Sequence, residues 1–584
     1  MSALDDNALR VMRARYLRRD AERRVIETPE ELFERVARAV AHAELLLGDA
    51  RRAERWTASF HEMLASLDFL PNSPTLMNAG TRLGQLSGCF VLPIEDSMEA
   101  IFEALKAMAL IQRTGGGTGF SFSRLRPRGA TIRSTGGATP GPVSFMAVFD
   151  CATENIRLGG RRRGANMGVL RVDHPDIREF VAAKSGGGRR LANFNLSVAA
   201  TDAYMEAVRD GGEYALRDPR HGTVVERVDA RELFDAIADG AWRTGDPGLV
   251  FIDAVNRGQP TPHVGTIEAT NPCGELPLLP YESCNLGSLN LPRMLRSAAD
   301  GTEEIDWDRL GETVRTAVRF LDDVIEVGRY PLPAVERLTR GNRKIGLGVM
   351  GFAEMLIRLG IPYDSDDAVA TADRVMAFIA ERAQAASAAL AEERDVFPNW
   401  PGSAHEAEGR RLRNATQTAI APTGTISIVA GVSASIEPLF GLAFRRRRVL
   451  EDQTLAEVHP AVAATARRFG LDAERVVPAV LRRGTLRDVP AVPDALRRLL
   501  ATALEIPPER HLRIQAAFQR HVDNSVSKTI NLPEEASPGD VAGIYRRAWD
   551  LGLKGITVYR YGSKREQVLE LGAAGERGGR GRRR

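Results

Sequence analysis

Hydrophobic and polar positions follow two patterns along this chain. Between residues 26 and 67 apolar side chains recur at helical spacing, with Phe33, Val36, Ala37 and Val40 on one stripe. Thr28-Pro29-Glu30-Glu31 opens that stretch with a capping hydroxyl, a proline at the first helical position and acids in the first turn. The pattern predicts an N-terminal helical region over 1–70. From about residue 70 to 445, short apolar runs bounded by Gly, Pro, Asn and Ser replace the stripe. They lie at 119–123, 168–172, 195–198, 344–349 and 419–421, with amphipathic helices predicted at 310–327 and 368–394. Strands that alternate with helices predict an α/β fold with largely parallel strands. Helical texture with arginine-rich faces returns over 450–520. Apolar runs at 530–532 and 555–559 follow it. The tail over 566–584 is basic and Gly/Arg-rich with almost nothing to bury, so it reads as disordered. Loose nucleic-acid contact is the sharper alternative for the tail.

Composition narrows the class. At 584 residues, 43% hydrophobic and 27% charged, the chain has the balance of a large globular protein. It has no run of eighteen apolar residues and no signal-type start, so no membrane partner is expected. Four cysteines with no even framework suit a reducing cytoplasm. A net charge of +3 does not by itself call for nucleic acid.

The cysteines carry the candidate chemistry. Cys273 sits between Asn271 and Glu275, with Pro272 and Gly274 shaping a tight backbone path. Cys284 follows downstream and Cys89 lies far upstream. One thiol beside a carboxylate, with two more able to pair, suggests thiol redox chemistry. Small buried hydrophobes are the competing reading, and the residues alone leave both open. No CxxC occurs and nine histidines are scattered, so no metal site is expected. A cysteine–histidine dyad would need a partner that the sequence does not place. Two loops suggest phosphate. Thr114 to Gly119 is glycine-rich but precedes a strand, the reverse of a dinucleotide fingerprint. Ala421-Pro422-Thr423-Gly424-Thr425 follows an apolar run and opens a predicted helix, which suits an anion or an ordinary cap. Asn72 to Gly80 lines a polar pocket or makes a turn.

Together these segments resemble the catalytic chain of adenosylcobalamin-dependent, class II ribonucleotide reductases. The resemblance rests on PNSPTLMNAG (71–80), LSGCFVLP (86–93), RTGGGTGFSFSRLRP (113–127), GGRRRGANMGVL (159–170) and NPCGELPLLPYESCNLGSLNL (271–291). It continues through NRKIGLGVMGF (342–352), APTGTISIVAGVSASIEPLF (421–440), HVDNSVSKTINLP (521–533) and KGITVYRYGSK (554–564). These run in family order through nearly the whole chain. The resemblance implies a ten-stranded α/β barrel over 71–565, built of two five-stranded parallel halves around a central finger loop. It implies that Cys273 is the thiyl-radical cysteine, Glu275 the base at the 3′-hydroxyl and Asn271 a hydrogen-bond partner of the ribose. It implies that Cys89 and Cys284 are the reducing pair. Substrate would also touch Thr75, Gly88, Gly117, Pro272, Gly274, Ala421, Pro422, Thr423, Gly424 and Thr425. Arg162, Arg163 and Asn166 would belong to a loop sensing a deoxynucleoside triphosphate effector. Cys151 matches no family site and reads as packing.

The class follows from what the segments contain. There is no adjacent Tyr-Tyr pair of the class I kind, and no cysteine follows Cys284 as class III would need. The resemblance therefore implies adenosylcobalamin as cofactor, a ribonucleotide substrate (of the diphosphate type) and a homodimer. Only some seventy residues precede PNSPTLMNAG, so no ATP-cone activity switch is expected. A separate thioredoxin-like protein or small thiol is expected to re-reduce the pair. The alternatives are a class I-type subunit awaiting a radical-generating partner and a catalytically silent nucleotide binder.

Overall fold

The computed structural model describes residues 4–132, 136–158, 162–186, 190–446, 455–487, 489, 492–563 and 569–571. The N-terminal region forms α1 (Asp6–Arg15), α2 (Pro29–Leu47) and α3 (Ala50–Ala65). The predicted start is a capping box. The Thr28 hydroxyl accepts from Glu31 N at 3.2 Å, and the Glu31 carboxylate accepts from Thr28 N at 2.7 Å. The Phe33–Val36–Ala37–Val40 stripe is fully buried. It belongs to one core shared with α3 and with the two long helices α6 (Trp307–Val327) and α7 (Asp366–Arg394).

The remainder closes into a barrel. Strands β2 (Cys89–Leu92), β3 (Gly117–Ser121), β4 (Asn166–Arg171), β5 (Phe194–Ala200) and β6 (Gly248–Phe251) pair in parallel in that order. Helices α4 (Met98–Gln112) and α5 (Pro142–Asn155) connect β2 to β3 and β3 to β4. The second half holds β9 (Ser283–Asn290), β10 (Ile345–Met350), β11 (Thr529–Leu532) and β12 (Gly555–Arg560). Here β9 pairs with β10 and β11 with β12, both in parallel. The halves meet antiparallel at both seams, β6 against β12 and β9 against β2. A short β1 (Phe69–Pro71) extends the sheet along the far end of β9.

The tenth stave is residues 418–420. The sequence predicts a strand at 419–421, but the segment makes only isolated parallel bridges, Leu347 to Thr418 and Ile420 to Val526. The Asp523 side chain explains the interruption. Its Oδ2 accepts from the backbone N–H of Gln417 and Thr418, taking the place of a ladder partner. Those bridges still close the ring, giving two parallel halves of five staves each.

Two expectations are corrected. Among the described residues the 450–520 region holds four helices, as expected, preceded by the strand pair Ala443–Arg446 and Leu455–Val458. Leu569–Leu571 adds a third strand to that pair, where the 566–584 tail was expected to be disordered; residues 566–568 and 572–584 lie outside the described residues. Cys151 is exposed on α5 and does not pack in the core, as it was expected to.

Candidate active site

The barrel interior is filled by backbone. After β6 the chain turns inward as a hairpin of β7 (Ala269–Thr270) and β8 (Pro277–Leu278), with Asn271 to Leu276 at its tip. Small residues on the staves make room for it. A Cβ at Gly119 would lie 1.9 Å from the Thr270 carbonyl oxygen, so only glycine lets the finger pass β3 at that height. Gly117 is the next such position, 3.0 Å from the Pro272 ring by the same measure. The tip is tied to both halves. Asn195 Nδ2 on β5 donates to Pro272 O at 2.7 Å, and Ser525 N of the second half donates to Glu275 O at 2.9 Å. Gly274 turns the tip with φ +84°.

This turn divides Cys273 from its neighbours. Cys273 is exposed and lines a cavity of about 1050 Å³. Asn271 and Glu275 point into the protein and are buried. Asn271 Oδ1 accepts from Leu276 N at 3.0 Å and from Thr270 Oγ1 at 3.1 Å, which orients the amide. Its Nδ2 then donates to Cys89 Sγ at 3.0 Å. Glu275 Oε2 is buried and has no hydrogen-bond partner. Burial lifts the Glu275 carboxyl to about 7, against the opposing pull of the Asn271 side chain. A carboxyl titrating near neutrality is poised to exchange a proton at working pH.

Cys89 and Cys284 are direct partners across the antiparallel seam between β2 and β9. Opposed residues there have Cα atoms roughly 4.5–5.5 Å apart, inside the span a disulfide bridges. Both are buried free thiols. Burial and then the Glu275 charge raise the Cys89 thiol well above its ordinary value. Burial and then the Glu282 charge do the same for Cys284. Both therefore hold their protons at neutral pH, the form that donates a hydrogen or a proton. Glu282 is itself buried and held by Lys344 Nζ at 2.8 Å and Asn342 Nδ2 at 2.6 Å, which braces the base of β9.

The cavity's far wall is the loop Ala421 to Thr425, which opens the five-residue helix Ile426–Ala430. Pro422, Gly424 and Thr425 line the cavity, while Ala421 and Thr423 sit behind them. Thr423 takes a left-handed φ of +51°, costly for a threonine, and its hydroxyl accepts from Ser435 N at 2.7 Å. A Cβ on Gly424 would meet nothing within 4 Å, so the loop presents bare backbone to the cavity. Such a surface suits a phosphate.

Other predicted residues lie apart from the cavity. Thr75 is fully buried, with its hydroxyl donating to Leu86 O at 3.0 Å. What that segment turns toward Gly88 is Asn72. Its Nδ2 is buried without a hydrogen-bond partner, 3.5 Å from where a Gly88 Cβ would be. Gly117 N donates to Gly88 O at 2.9 Å, so Gly88, Cys89, Gly117 and the finger tip form one cluster. Asn166 departs from its expected place in the effector loop. It is fully buried, donating to Thr153 Oγ1 at 2.8 Å and accepting from Gln112 Nε2 at 2.8 Å and Thr118 Oγ1 at 2.7 Å. With its amide satisfied by β3, α4 and α5, Asn166 braces β3 and β4 against those helices. The backbone of Arg162–Arg163 pairs with Arg157–Leu158 just beyond α5, while 159–161 lie outside the described residues. Asn72, Asn195, Ser525 and Arg15 were missed in the sequence. Asn72 and Ser525 sit in segments the sequence flags and Asn195 opens a predicted strand, while Arg15, which lines the cavity, carries no local signal.

Two family models match the chain. The ribonucleotide reductase all-alpha domain covers residues 2–84, and the ribonucleotide reductase barrel domain covers 87–411 and 405–559. The chain is 53% identical over 566 residues to a vitamin B12-dependent ribonucleoside-diphosphate reductase of Mycobacterium tuberculosis, covering 97% of this chain and 80% of that protein. It is 48% identical over 622 residues to a protein of the same description from Thermoplasma acidophilum, again with 97% and 80% covered. Among solved structures, the class Id ribonucleotide reductase alpha subunit of Actinobacillus ureae superposes with a TM-score of 0.76. That match has 25% identity and covers 96% of this chain and 97% of that one.

Proposed function

The chain belongs to the ribonucleotide reductase family, and from that membership we propose how its own residues divide the reaction. It reduces ribonucleotides to 2′-deoxyribonucleotides with a cobalamin cofactor, as its relatives' descriptions state. The substrate is a ribonucleoside diphosphate, its phosphates on the 421–425 loop and its ribose over Cys273. The observation that carries this reading is the arrangement around the finger tip. One thiol opens on the cavity, a carboxylate with one oxygen lacking a hydrogen-bond partner is buried behind it, and two buried thiols stand opposed across a strand seam.

The cavity tests the fit of the cofactor. At about 1050 Å³ it stands at the top of the usual range for a ligand pocket, roughly 300–1,000 Å³. Val250 of β6 turns inward there, and the half-buried Ile428, Val432 and Phe440 also line the cavity with apolar groups, whereas Leu249, Ile556 and Val558 pack in the outer core. Among the described residues no group of three or more His, Cys, Asp or Glu side chains is placed to hold a metal ion. The cobalt would thus come already ligated by its own ring. Adenosylcobalamin held against this cavity would supply the carbon-centred radical chemistry, and Cys273, exposed on the cavity, would be the thiol that gives up its hydrogen atom.

The remaining chemistry is the protein's. The Cys273 thiyl takes the hydrogen atom from C3′. The ionised Glu275 carboxylate takes the 3′-hydroxyl proton, and Asn271 holds the developing carbonyl. A Cys89 or Cys284 thiol gives its proton to the departing 2′-hydroxyl, which leaves as water. The other thiol of the pair supplies a hydrogen atom to C2′, the pair gives up a second electron and ends as a disulfide as Glu275 returns its proton to the 3′ oxygen, and Cys273 returns its hydrogen to C3′. A thiol reductant outside this arrangement restores the pair. Four free cysteines suit a reducing cytoplasm for this cycle. The enzyme works as a homodimer. The face of α4 and α5 carries exposed Met98, Phe102 and Val148, an apolar surface that a second copy would cover, with the effector loop at the end of α5.

The test is one turnover without reductant. Loaded enzyme and CDP are expected to yield close to one deoxynucleotide per chain and a Cys89–Cys284 disulfide in the peptide map. A disulfide involving Cys273 or Cys151 would overturn the assignment.

A further inference from the structure

We propose that Arg15 is a substrate-positioning residue. It supplies positive charge to the phosphate subsite, so that the N-terminal helical unit completes the nucleotide site of the barrel. The inference rests on the reading that the 421–425 loop holds the phosphates. Helix α1 lies along the cavity and contributes Val11 and Arg15 to its lining. Arg15 Nη1 donates to Thr425 Oγ1 at 2.8 Å, across 410 residues of sequence. Thr425 makes no capping bond to the helix that follows it, so its hydroxyl is turned to the cavity side and to Arg15.

The charge arithmetic favours this arginine. The loop offers only neutral donors, backbone N–H groups and hydroxyls, whereas a diphosphate brings several negative charges. Among the described residues, the cationic side chains lining the cavity are Arg15, Lys528 and, when protonated, His459. Lys528 is engaged by Glu437 Oε2 at 2.6 Å, His511 Nδ1 at 3.0 Å and Thr529 O at 3.2 Å. His459 is engaged by Glu354 at 2.9 Å. Among these described cations, Arg15 is the one that hydrogen-bonds to the loop. Its planar fork matches two phosphate oxygens at once, and a phosphate oxygen beside Thr425 would be within its reach. Tyr16 OH, bonded to Ser73 Oγ at 2.8 Å, anchors the end of the helix to the barrel entry segment.

The experiment compares CDP, CMP and cytidine binding to the full chain and to Arg15→Met, Arg15→Lys and Thr425→Val. It is paired with steady-state kinetics of the cobalamin-loaded enzyme. Loss of a charge-assisted contact predicts CDP binding weakened roughly 10- to 100-fold in R15M. Cytidine binding and melting temperature should stay unchanged. KM should rise with kcat nearly preserved, R15K should recover part of the loss, and the salt dependence of CDP binding should be shallower in R15M. Wild-type CDP affinity in R15M, with affinity lost in T425V, would overturn the role of Arg15 while keeping the phosphates on the loop. Wild-type affinity in both variants would remove the phosphates from the loop, and the proposal with them.

Discussion

At the scale of single residues, Glu275 concentrates the cost and the use of this site. A carboxyl whose folded value is about 7 rather than its ordinary 4.5 binds more protons in the folded than in the unfolded state between those two values. Folding stability is therefore greatest below the lower value and declines as pH rises through the higher one. The shift corresponds to about 3 kcal/mol at most. Glu275→Gln is expected to abolish reduction yet to be at least as stable as the wild type at pH 8, read by urea denaturation. A large loss of stability in that variant would show that the carboxylate is structurally required. In the wild type, chemistry should switch on with rising pH around 7 in single-turnover rates, since the base works only when ionised. A rate that is flat between pH 6 and 8 would remove Glu275 from that role. The Asn271-Pro272-Cys273-Gly274-Glu275 run was legible in the sequence because five unusual residues stand together. The division at Gly274, with one thiol outward and two polar groups inward, was not legible, because it depends on a φ and on what the finger meets.

At the scale of elements, the finger and the seam decide where the thiols stand. Gly119→Ala places a methyl against the Thr270 carbonyl, which neither backbone can yield cheaply. The variant is expected to fold, judged by circular dichroism, while activity falls by 100-fold or more because the finger is displaced. Near-normal turnover in G119A would mean that the finger does not need that path. The strands themselves were legible as apolar runs between turn residues. Their order was not. Cys89 and Cys284 face each other only because β9 runs antiparallel to β2 at the seam between the halves. The stave at 418–420 read as a strand, yet Asp523, more than a hundred residues away, takes its N–H groups. Asn166 read as part of a loop. Gln112, Thr118 and Thr153 draw it inward, through contacts that local patterning does not encode.

At the scale of the molecule, a buried ion network clamps the helical unit to the barrel. Glu44 of α2 is fully buried and accepts from Arg319 of α6 and Arg394 of α7, and Arg319 also lies 4.5 Å over the Trp56 ring of α3. Without Glu44, Arg319 keeps Glu393 and Arg394 keeps Asp322 and Asp323, so Glu44→Ala should cost about 1–3 kcal/mol in urea unfolding. An unchanged midpoint would show the network to be dispensable. On the α4–α5 face, Phe102→Glu is expected to turn a sedimenting dimer into a monomer, since a charge there is not buried without penalty. A dimer that survives the substitution would place the interface elsewhere. That clamp and the Arg15 contact bind the N-terminal region to the site's function, which the sequence had presented only as an amphipathic stripe.

The account's central claim is that this chain reduces a ribonucleotide with a thiyl radical on Cys273. The most direct test is anaerobic CDP reduction by the purified chain alone, with adenosylcobalamin, dithiothreitol and an effector nucleotide. The prediction is dCDP in repeated turnovers, lost entirely in Cys273→Ser. Product formed by Cys273→Ser, or none from the wild type unless a second protein is added, would contradict it.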